Sequence, residues 1–289
     1  MPRSLPPETP RERRWRDYPW STAHPASRRH AIATDPTDDA RLGRLRRWNI
    51  VVGLILAVQA VAVALLTNDF SLPVTATYMT GPPGTPSELH TLFDLPLGWG
   101  VVAFLAISAG ALLAIASPGV FEWYRRNLLR GRNYGRWIEY FFSASVMMVL
   151  IAMITGVSDI AALLAIFAVN ACMILFGLLM EKYETPGTPS WLSFLFGTFA
   201  GIVPWIVVVI YVWSPGLDGA GPPAFVYGII ASLFVFFNVF AVNMWLQYRR
   251  VGRWRSYLVG EQTYIVLSLT AKSLLAWQVF SAVLAGSAA

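Results

Sequence analysis

The stretch YIVLSLTAKSLLAWQVFSAVL, residues 264–284, is an apolar run with one basic residue, Lys272, near its middle. At ~1.5 Å of rise per residue, the eight residues from Tyr264 carry Lys272 ~12 Å into a hydrocarbon layer ~30 Å thick. A charged amine at the bilayer centre costs roughly 3 kcal/mol on insertion scales, so such residues usually face the bundle interior and serve a function. The stretch therefore predicts a transmembrane helix with a functional lysine.

Lysine is a rare base in this chain. Of the 22 Lys and Arg residues, only Lys182 and Lys272 are lysine. Arg stays charged, whereas a desolvated Lys can lose its proton and become a nucleophilic amine that forms a Schiff base. The residues alone leave two roles open for Lys272: a structural ion pair with a carboxylate, or a Schiff-base lysine.

The composition is that of an integral membrane protein, since 56% of the 289 residues are hydrophobic and only 13% are charged. The net charge of +6 comes from arginines beside apolar runs. This pattern indicates membrane topology and excludes nucleic acid as a partner. The three histidines lie outside the apolar runs, and no set of nucleophile, base and orienting group is visible, so neither an intramembrane His metal site nor an enzyme is predicted.

Seven apolar segments are each long enough to cross a bilayer as a helix. We therefore predict an all-α membrane protein with a seven-transmembrane-helix bundle. The segments cover about residues 49–67, 96–116, 136–155, 159–180, 192–213, 224–246 and 264–284.

The links between the segments alternate in charge. The links after the second and sixth segments are strongly basic, whereas those after the first, third and fifth contain no Lys or Arg. The positive-inside rule then predicts a cytoplasmic N-terminus and, with seven spans, an outside C-terminus. We predict a plasma-membrane, multi-pass protein.

Two regions outside the spans have their own character. Residues 1–43 are rich in Arg and Pro and predict a disordered cytoplasmic tail, followed by a seven-helix domain over residues 44–289. Residues 68–95 contain alternating apolar and polar positions on either side of a Gly-Pro-Pro-Gly turn. This pattern predicts an extracellular β-hairpin that packs on another surface, such as a second protomer.

Glu139 is the carboxylate best situated to meet Lys272. It lies only three residues beyond Arg136, so hydropathy alone makes it shallower than Lys272. The two can meet if the third helix begins near Asn133 or earlier. Ser143 lies four residues after Glu139, and Ser268 four residues before Lys272, so each shares a helix face with its charged neighbour.

Other polar residues have simpler interpretations. Glu181 and Lys182 predict a solvated pair at the end of the fourth span, and Asp159 predicts a helix N-cap. Aromatic residues in the last three spans make an apolar slot for a flat ligand plausible. The sixth and seventh segments contain no carboxylate that could donate a proton.

Residues 44–283 resemble the heliorhodopsins, retinal proteins with seven helices and an inverted topology. The matching stretches are NDFSLPVTATYMTGPPGT, RWIEYFFSASVMMVLIA, ALLAIFAVNACMILFG, EKY, GIVPWI, FVYGII, FFN and YIVLSLTAKSLLAWQ.

The resemblance implies that the domain binds all-trans retinal, with Lys272 as the protonated Schiff base and Glu139 as its counterion. It implies that Ser143 and Ser268 flank the linkage. It also implies a homodimer joined through the hairpin, a slow photocycle, and light sensing through an unknown cytoplasmic signalling partner without robust ion pumping. The implied retinal slot is lined by Asn170, Met173, Trp205, Phe237 and Asn238.

The chain departs from the family in one respect. Family members often have histidines in the first two helices near the linkage, and the corresponding positions here are Leu56 and Leu112. Without these histidines, the Schiff-base proton must move to another acceptor, either water or Glu139 itself. A light-driven ion transporter or channel on the same scaffold, and a retinal-free membrane protein with a buried ion pair, are the rival functions.

Overall fold

The computed structural model describes residues 36–217 and 224–286. Their elements are seven long helices, one short helix, one 3-10 turn and one antiparallel hairpin. In chain order these are α1 (Pro36–Leu66), β1 (Ser71–Tyr78), β2 (Glu88–Pro96), α2 (Leu97–Ala116), α3 (Pro118–Leu128), α4 (Tyr134–Ile154), α5 (Ile160–Tyr183), α6 (Leu192–Leu217), α7 (Ala224–Tyr248), a 3-10 turn (Gly252–Arg255) and α8 (Tyr257–Gly286).

Within these described ranges, seven helices are long and apolar enough to cross a membrane. They are α1, α2, α4, α5, α6, α7 and α8, whereas the 11-residue α3 is too short to span a bilayer. The predicted seven-helix membrane fold with a hairpin between its first two spans is confirmed. The orientation in the membrane stays a prediction.

The bundle has two distinct ends. At one end, α2, α5 and α7 finish while α1, α4, α6 and α8 begin, and the connections after α2 and α7 are rich in arginine. We call this the basic end. The β-hairpin lies at the opposite end, which we call the hairpin end.

Helix α1 begins at Pro36, so residues 36–43 are helical rather than part of a disordered tail. Leu42 and Leu45 are buried against the bundle. Arg46 donates a 2.9 Å hydrogen bond from Nε to the carbonyl of Ala116 at the end of α2. Such contacts stabilise helix at positions where the Arg-rich sequence by itself predicts none. Residues 1–35 of the predicted tail lie outside the described ranges.

Strands β1 and β2 pair antiparallel from Ser71–Pro96 to Tyr78–Glu88, with a bulge after Val74. The hairpin packs on its own protomer as well as offering a free edge. The backbone N–H of Thr75 donates to the carbonyl of Ser158 at 2.9 Å, and their hydroxyls lie 3.0 Å apart. The link between α4 and α5 therefore anchors β1.

Besides α1, two helices begin earlier than the hydropathy pattern predicts. Helix α4 starts at Tyr134, where the side chain of Asn133 caps it by accepting a 3.0 Å hydrogen bond from the N–H of Arg136. Helix α8 starts at Tyr257 instead of 264, which includes Glu261 in the helix. Both starts contain charged residues that lower the local hydropathy but are paired inside the bundle.

Candidate functional site

Lys272 on α8 meets Glu139 on α4 in the middle of the bundle. The Lys272 Nζ atom lies 2.5 Å from Oε1 of Glu139. Only 3% of Lys272 and 5% of Glu139 is exposed, so both charges are shielded from water. The early start of α4 resolves the difference in depth, because Glu139 then lies more than a helical turn inside the bundle.

Two further side chains complete the surroundings of this pair. The hydroxyl of Ser108 on α2 donates to Oε1 of Glu139 at 2.6 Å, and the amine of Lys272 lies 5.0 Å from the centre of the Tyr140 ring. Neither residue is predicted from the sequence to lie at the site. A lone serine in the second apolar run was the available signal for Ser108, but a serine that bonds its own helix is common in membranes.

An apolar cavity of about 190 Å³ opens beside Lys272. Its walls come from α4, α5, α6, α7 and α8, and most of the lining is aromatic or aliphatic. Trp205 is part of this lining, and its ring contacts those of Phe234 at 5.2 Å and Phe237 at 5.4 Å. Lys272 provides the cationic group in the lining.

Most of the residues that the resemblance implies for the slot do line this cavity. They are Met173, Trp205, Phe237 and Asn238. Asn170 is buried elsewhere, where its amide donates to the Ser145 hydroxyl at 3.1 Å. The structure therefore does not bring Asn170 to the cavity wall, because this face of α5 is turned toward α4.

The two serines beside the charged pair differ in their surroundings. Ser143 is fully buried, but its hydroxyl has no hydrogen-bond partner among the described residues. Ser268 lines a second, smaller cavity of about 30 Å³ that also touches Glu139. Leu112, one of the two positions that lack the family's histidine, lines the same small cavity.

A second buried ionic cluster lies between this site and the basic end. Arg136 pairs through Nη2 with Glu181 at 2.6 Å and through Nη1 with Glu261. The prediction that Glu181 and Lys182 form a solvated pair is wrong. Glu181 is only 7% exposed and turns inward to Arg136, whereas Lys182 is exposed and lies over the ring of Tyr183.

Glu261 is also missing from the sequence-based site. It lies in α8 and is 1% exposed, so the prediction that the last span contains no carboxylate is wrong. Hydropathy excluded Glu261 because the residues just before it are polar and basic. The available signal was helical spacing, since Glu261 lies seven residues before Ser268 and thus on the same side of the helix.

The fold and the site together define a class of protein: a seven-helix membrane protein with a buried lysine–glutamate pair at the end of an apolar, aromatic cavity. A family model described as Heliorhodopsin matches residues 45–284. The chain belongs to the heliorhodopsin family, whose members are retinal-binding, light-sensing rhodopsins. No curated protein matches the chain.

The residues present fit a retinal chromophore. The cavity is apolar and lined by several aromatic side chains, as a polyene requires, and a shielded primary amine, that of Lys272, is part of its lining. Two glycines of the lining let neighbouring side chains pack closely against their helices. A Cβ added at Gly201 would stand 2.5 Å from Sδ of Met173, and one at Gly177 would stand 2.5 Å from the Trp137 ring.

Proposed function

We propose that the chain is a light-sensing membrane receptor that holds all-trans retinal on Lys272 as a protonated Schiff base, with Glu139 as the counterion. The observation that carries the proposal is the 2.5 Å contact between Lys272 and Glu139 at the wall of the apolar cavity. When bound, retinal supplies light absorption and a change of shape on isomerisation.

The chain's own residues would couple that change to the protein. Glu139 compensates the positive charge on the Lys272 nitrogen, and Ser108 holds the carboxylate oxygen in line with it. Trp205 on α6 and Phe237 on α7 pack edge to face and both line the cavity, so a ligand that changes shape against them pushes on α6 and α7. A shift in these helices would change the surface at the basic end.

The proposal includes the surroundings of the receptor. The arginine-rich connections favour a cytoplasmic basic end in the plasma membrane, where an unidentified signalling partner would bind. Leu89, Leu92 and Phe93 expose about half or more of their surface on β2, which supports a homodimer formed through the hairpin. Residues 44–289 would act as the retinal-binding domain, and residues 1–43 as an attached tail.

The experiment is reconstitution of the purified protein with all-trans retinal. We expect a band in the visible that is lost in Lys272→Ala and kept in Lys182→Ala, the matched change at the exposed lysine. A visible band that persists in Lys272→Ala would contradict the proposal. Failure of the wild-type chain to form any pigment would favour a retinal-free protein with a structural ion pair.

Glu139→Gln tests the counterion in the same preparation. Removal of the negative charge beside the nitrogen destabilises the dark state of the chromophore, so we expect the visible band to move to the red. Glu122→Gln, a change at an exposed carboxylate of α3, should leave the band in place. An unchanged band in Glu139→Gln would assign the counterion to another group.

A slow sensory cycle and a transporter differ in what crosses the membrane. Cells that contain the pigment should show no sustained light-dependent pH change or photocurrent. A steady photocurrent that disappears in Lys272→Ala would show a light-driven transporter on the same scaffold instead.

A further inference from the structure

The cluster of Arg136, Glu181 and Glu261 is not balanced in charge. All three side chains are at least nine-tenths buried. If both carboxyls were ionised, the cluster would hold one uncompensated negative charge in the bundle. Such a charge is costly in a low-dielectric interior, and a buried group avoids the cost by taking up a proton. The cluster therefore holds one proton.

The hydrogen bonds identify which carboxyl carries that proton. Glu181 accepts four hydrogen bonds, whereas Glu261 accepts two, and donors to a carboxylate favour its charged form. Glu181 is therefore the anion and Glu261 the acid. The donors to Glu181 are Arg136 Nη2 (2.6 Å), Trp137 Nε1 (2.5 Å), the Asn133 N–H (2.8 Å) and the Tyr257 hydroxyl (2.8 Å), and those to Glu261 are Arg136 Nη1 and Asn133 Nδ2 (2.6 Å).

In the described part of the chain, the positive charges near Glu261 are those of Arg136 and Lys272. Arg136 pairs with Glu181 and Lys272 with Glu139, so neither leaves a further positive charge to compensate Glu261. The neighbouring phenols are neutral, and burial raises the pKa of Tyr124 on α3, which keeps it so. The titratable and charged groups around Glu261 and the small cavity are Tyr124 from α3, Arg136, Glu139 and Tyr140 from α4, Glu181 from α5, and Tyr257, Tyr264 and Lys272 from α8.

The small cavity lies between Glu261 and the lysine–glutamate pair. Glu139 and Glu261 both line it, and its volume of about 30 Å³ exceeds the roughly 10–15 Å³ that one water molecule needs. Three buried polar atoms of its lining residues have no hydrogen-bond partner in the described part of the chain: Oδ1 of Asn49, Nε of Arg136 and the hydroxyl oxygen of Tyr264. A polar cavity of this size with unpartnered atoms is a water site.

We propose that Glu261 is an internal proton donor that returns a proton to the Lys272–Glu139 pair through water in this cavity. The proton leaves the carboxyl of Glu261, passes along the water to Glu139 and reaches the nitrogen of Lys272. Glu261 is then a carboxylate beside Arg136 until it takes up, from the basic end, the proton that Lys272 released there, so one cycle moves no proton across the membrane. The donor role rests on the proposed function, but the proton on Glu261 does not.

The first test uses infrared spectra of the purified chain in the dark without retinal. The wild-type protein should show a carboxylic-acid carbonyl band that shifts in D₂O. The band should be lost in Glu261→Gln and kept in Glu122→Gln. It should also be lost in Glu181→Gln, because Arg136 then faces a single carboxyl, which ionises.

These variants give distinct outcomes. Full retention of the band in Glu261→Gln overturns the assignment, and retention in Glu181→Gln overturns the charge-balance argument and the proposal with it. If Glu261→Gln does not fold, as judged by circular dichroism, Glu181→Gln still decides the question. This dark measurement gives its result even if no pigment forms, so it is independent of the proposed function.

The second test follows recovery of the visible band after a flash in the retinal-loaded protein. A positioned proton donor typically contributes ~10²–10⁴-fold to a proton transfer, so Glu261→Gln should slow recovery by roughly 100-fold or more. Added azide, a small diffusible proton carrier, should restore the rate. An unchanged recovery rate, or a slowed one that azide does not restore, overturns the donor role and leaves Glu261 a structural acid.

Discussion

The Oε1 atom of Glu139 is the most crowded polar atom of the site, since it accepts from both Lys272 and Ser108. A buried ion pair gains little net stability unless further hydrogen bonds satisfy its atoms, because removing two charges from water is expensive. Ser108 supplies such a bond from a third helix. The pair is therefore held by α2, α4 and α8 together, which fixes where the amine faces the cavity.

Two serines are buried near Glu139. The hydroxyl of Ser108 is hydrogen-bonded, whereas that of Ser143 has no partner in the described part of the chain. Ser108→Ala removes a hydrogen bond to a charged group, so we expect the free energy of unfolding to fall by about 1.5–3 kcal/mol. Ser143→Ala removes a hydroxyl that has no partner and should change little. Denaturant unfolding in detergent, followed by tryptophan fluorescence, measures both variants. Equal losses would show that Ser108 does not stabilise the pair.

At the scale of elements, the helix starts decide which charges enter the bundle. Asn133 caps α4 and at the same time donates to Glu261, so the cap and the second ionic cluster share a residue. Asp159 caps α5 by accepting a 2.9 Å hydrogen bond from the N–H of Ala162, as the sequence predicts. Each cap satisfies a backbone donor that would otherwise be unpaired near the membrane.

The cap of α5 is open to a direct test. Asp159→Ala should lower the free energy of unfolding by about 1 kcal/mol, the usual cost of losing a cap. Asp159→Asn keeps an acceptor oxygen at the same position and should remain close to the wild type. Thermal unfolding by circular dichroism compares the two, and a loss as large for Asn as for Ala would point to the charge instead of the cap.

Arg136 links α4 to α5 and α8, so its substitution should weaken the packing of all three helices. Arg136→Gln leaves two buried carboxyls without their partner, and we expect a loss of about 3–5 kcal/mol in the free energy of unfolding. Arg126→Gln on the exposed side of α3 should cost little. A measured loss below about 1 kcal/mol would mean that the carboxyls are satisfied without Arg136.

At the scale of the whole molecule, arginines are concentrated at the basic end of the bundle. The exposed ones in the described chain include Arg44, Arg47, Arg126, Arg130, Arg249 and Arg250. The hairpin segment from Asn68 to Pro96 has no Lys or Arg. An asymmetry of this kind orients short loops toward the cytoplasm.

The orientation can be measured with single cysteines in a Cys172→Ser background. Ser87→Cys, in the exposed hairpin turn, should react with a membrane-impermeant maleimide on intact cells. Arg130→Cys, exposed at the basic end, should react only after the cells are opened. The reverse labelling pattern would invert the bundle and remove the basic end as the signalling surface.

Several features could be predicted from the sequence because each depends on local pattern. Runs of about 20 apolar residues predict the spans, alternation around Gly-Pro-Pro-Gly predicts the hairpin, and Asp159 before an apolar run predicts a cap. Lys272 is conspicuous because a charge stands alone in an apolar segment. Helix starts are harder to predict, since charges such as Arg136 and Glu261 resemble loop residues until their partners are known.

The sequence by itself determined that this chain is a seven-helix membrane protein with a lysine at its centre, since the cost of placing charge in hydrocarbon leaves few alternatives. Only the tertiary structure decided which polar groups pair with one another inside the bundle. Ser108, Glu181 and Glu261 come from three helices, and their burial is tolerable only because residues distant in sequence supply hydrogen bonds and opposite charge. Hydropathy scores each residue separately, whereas the free energy of burying a charge depends on the groups that pair with it.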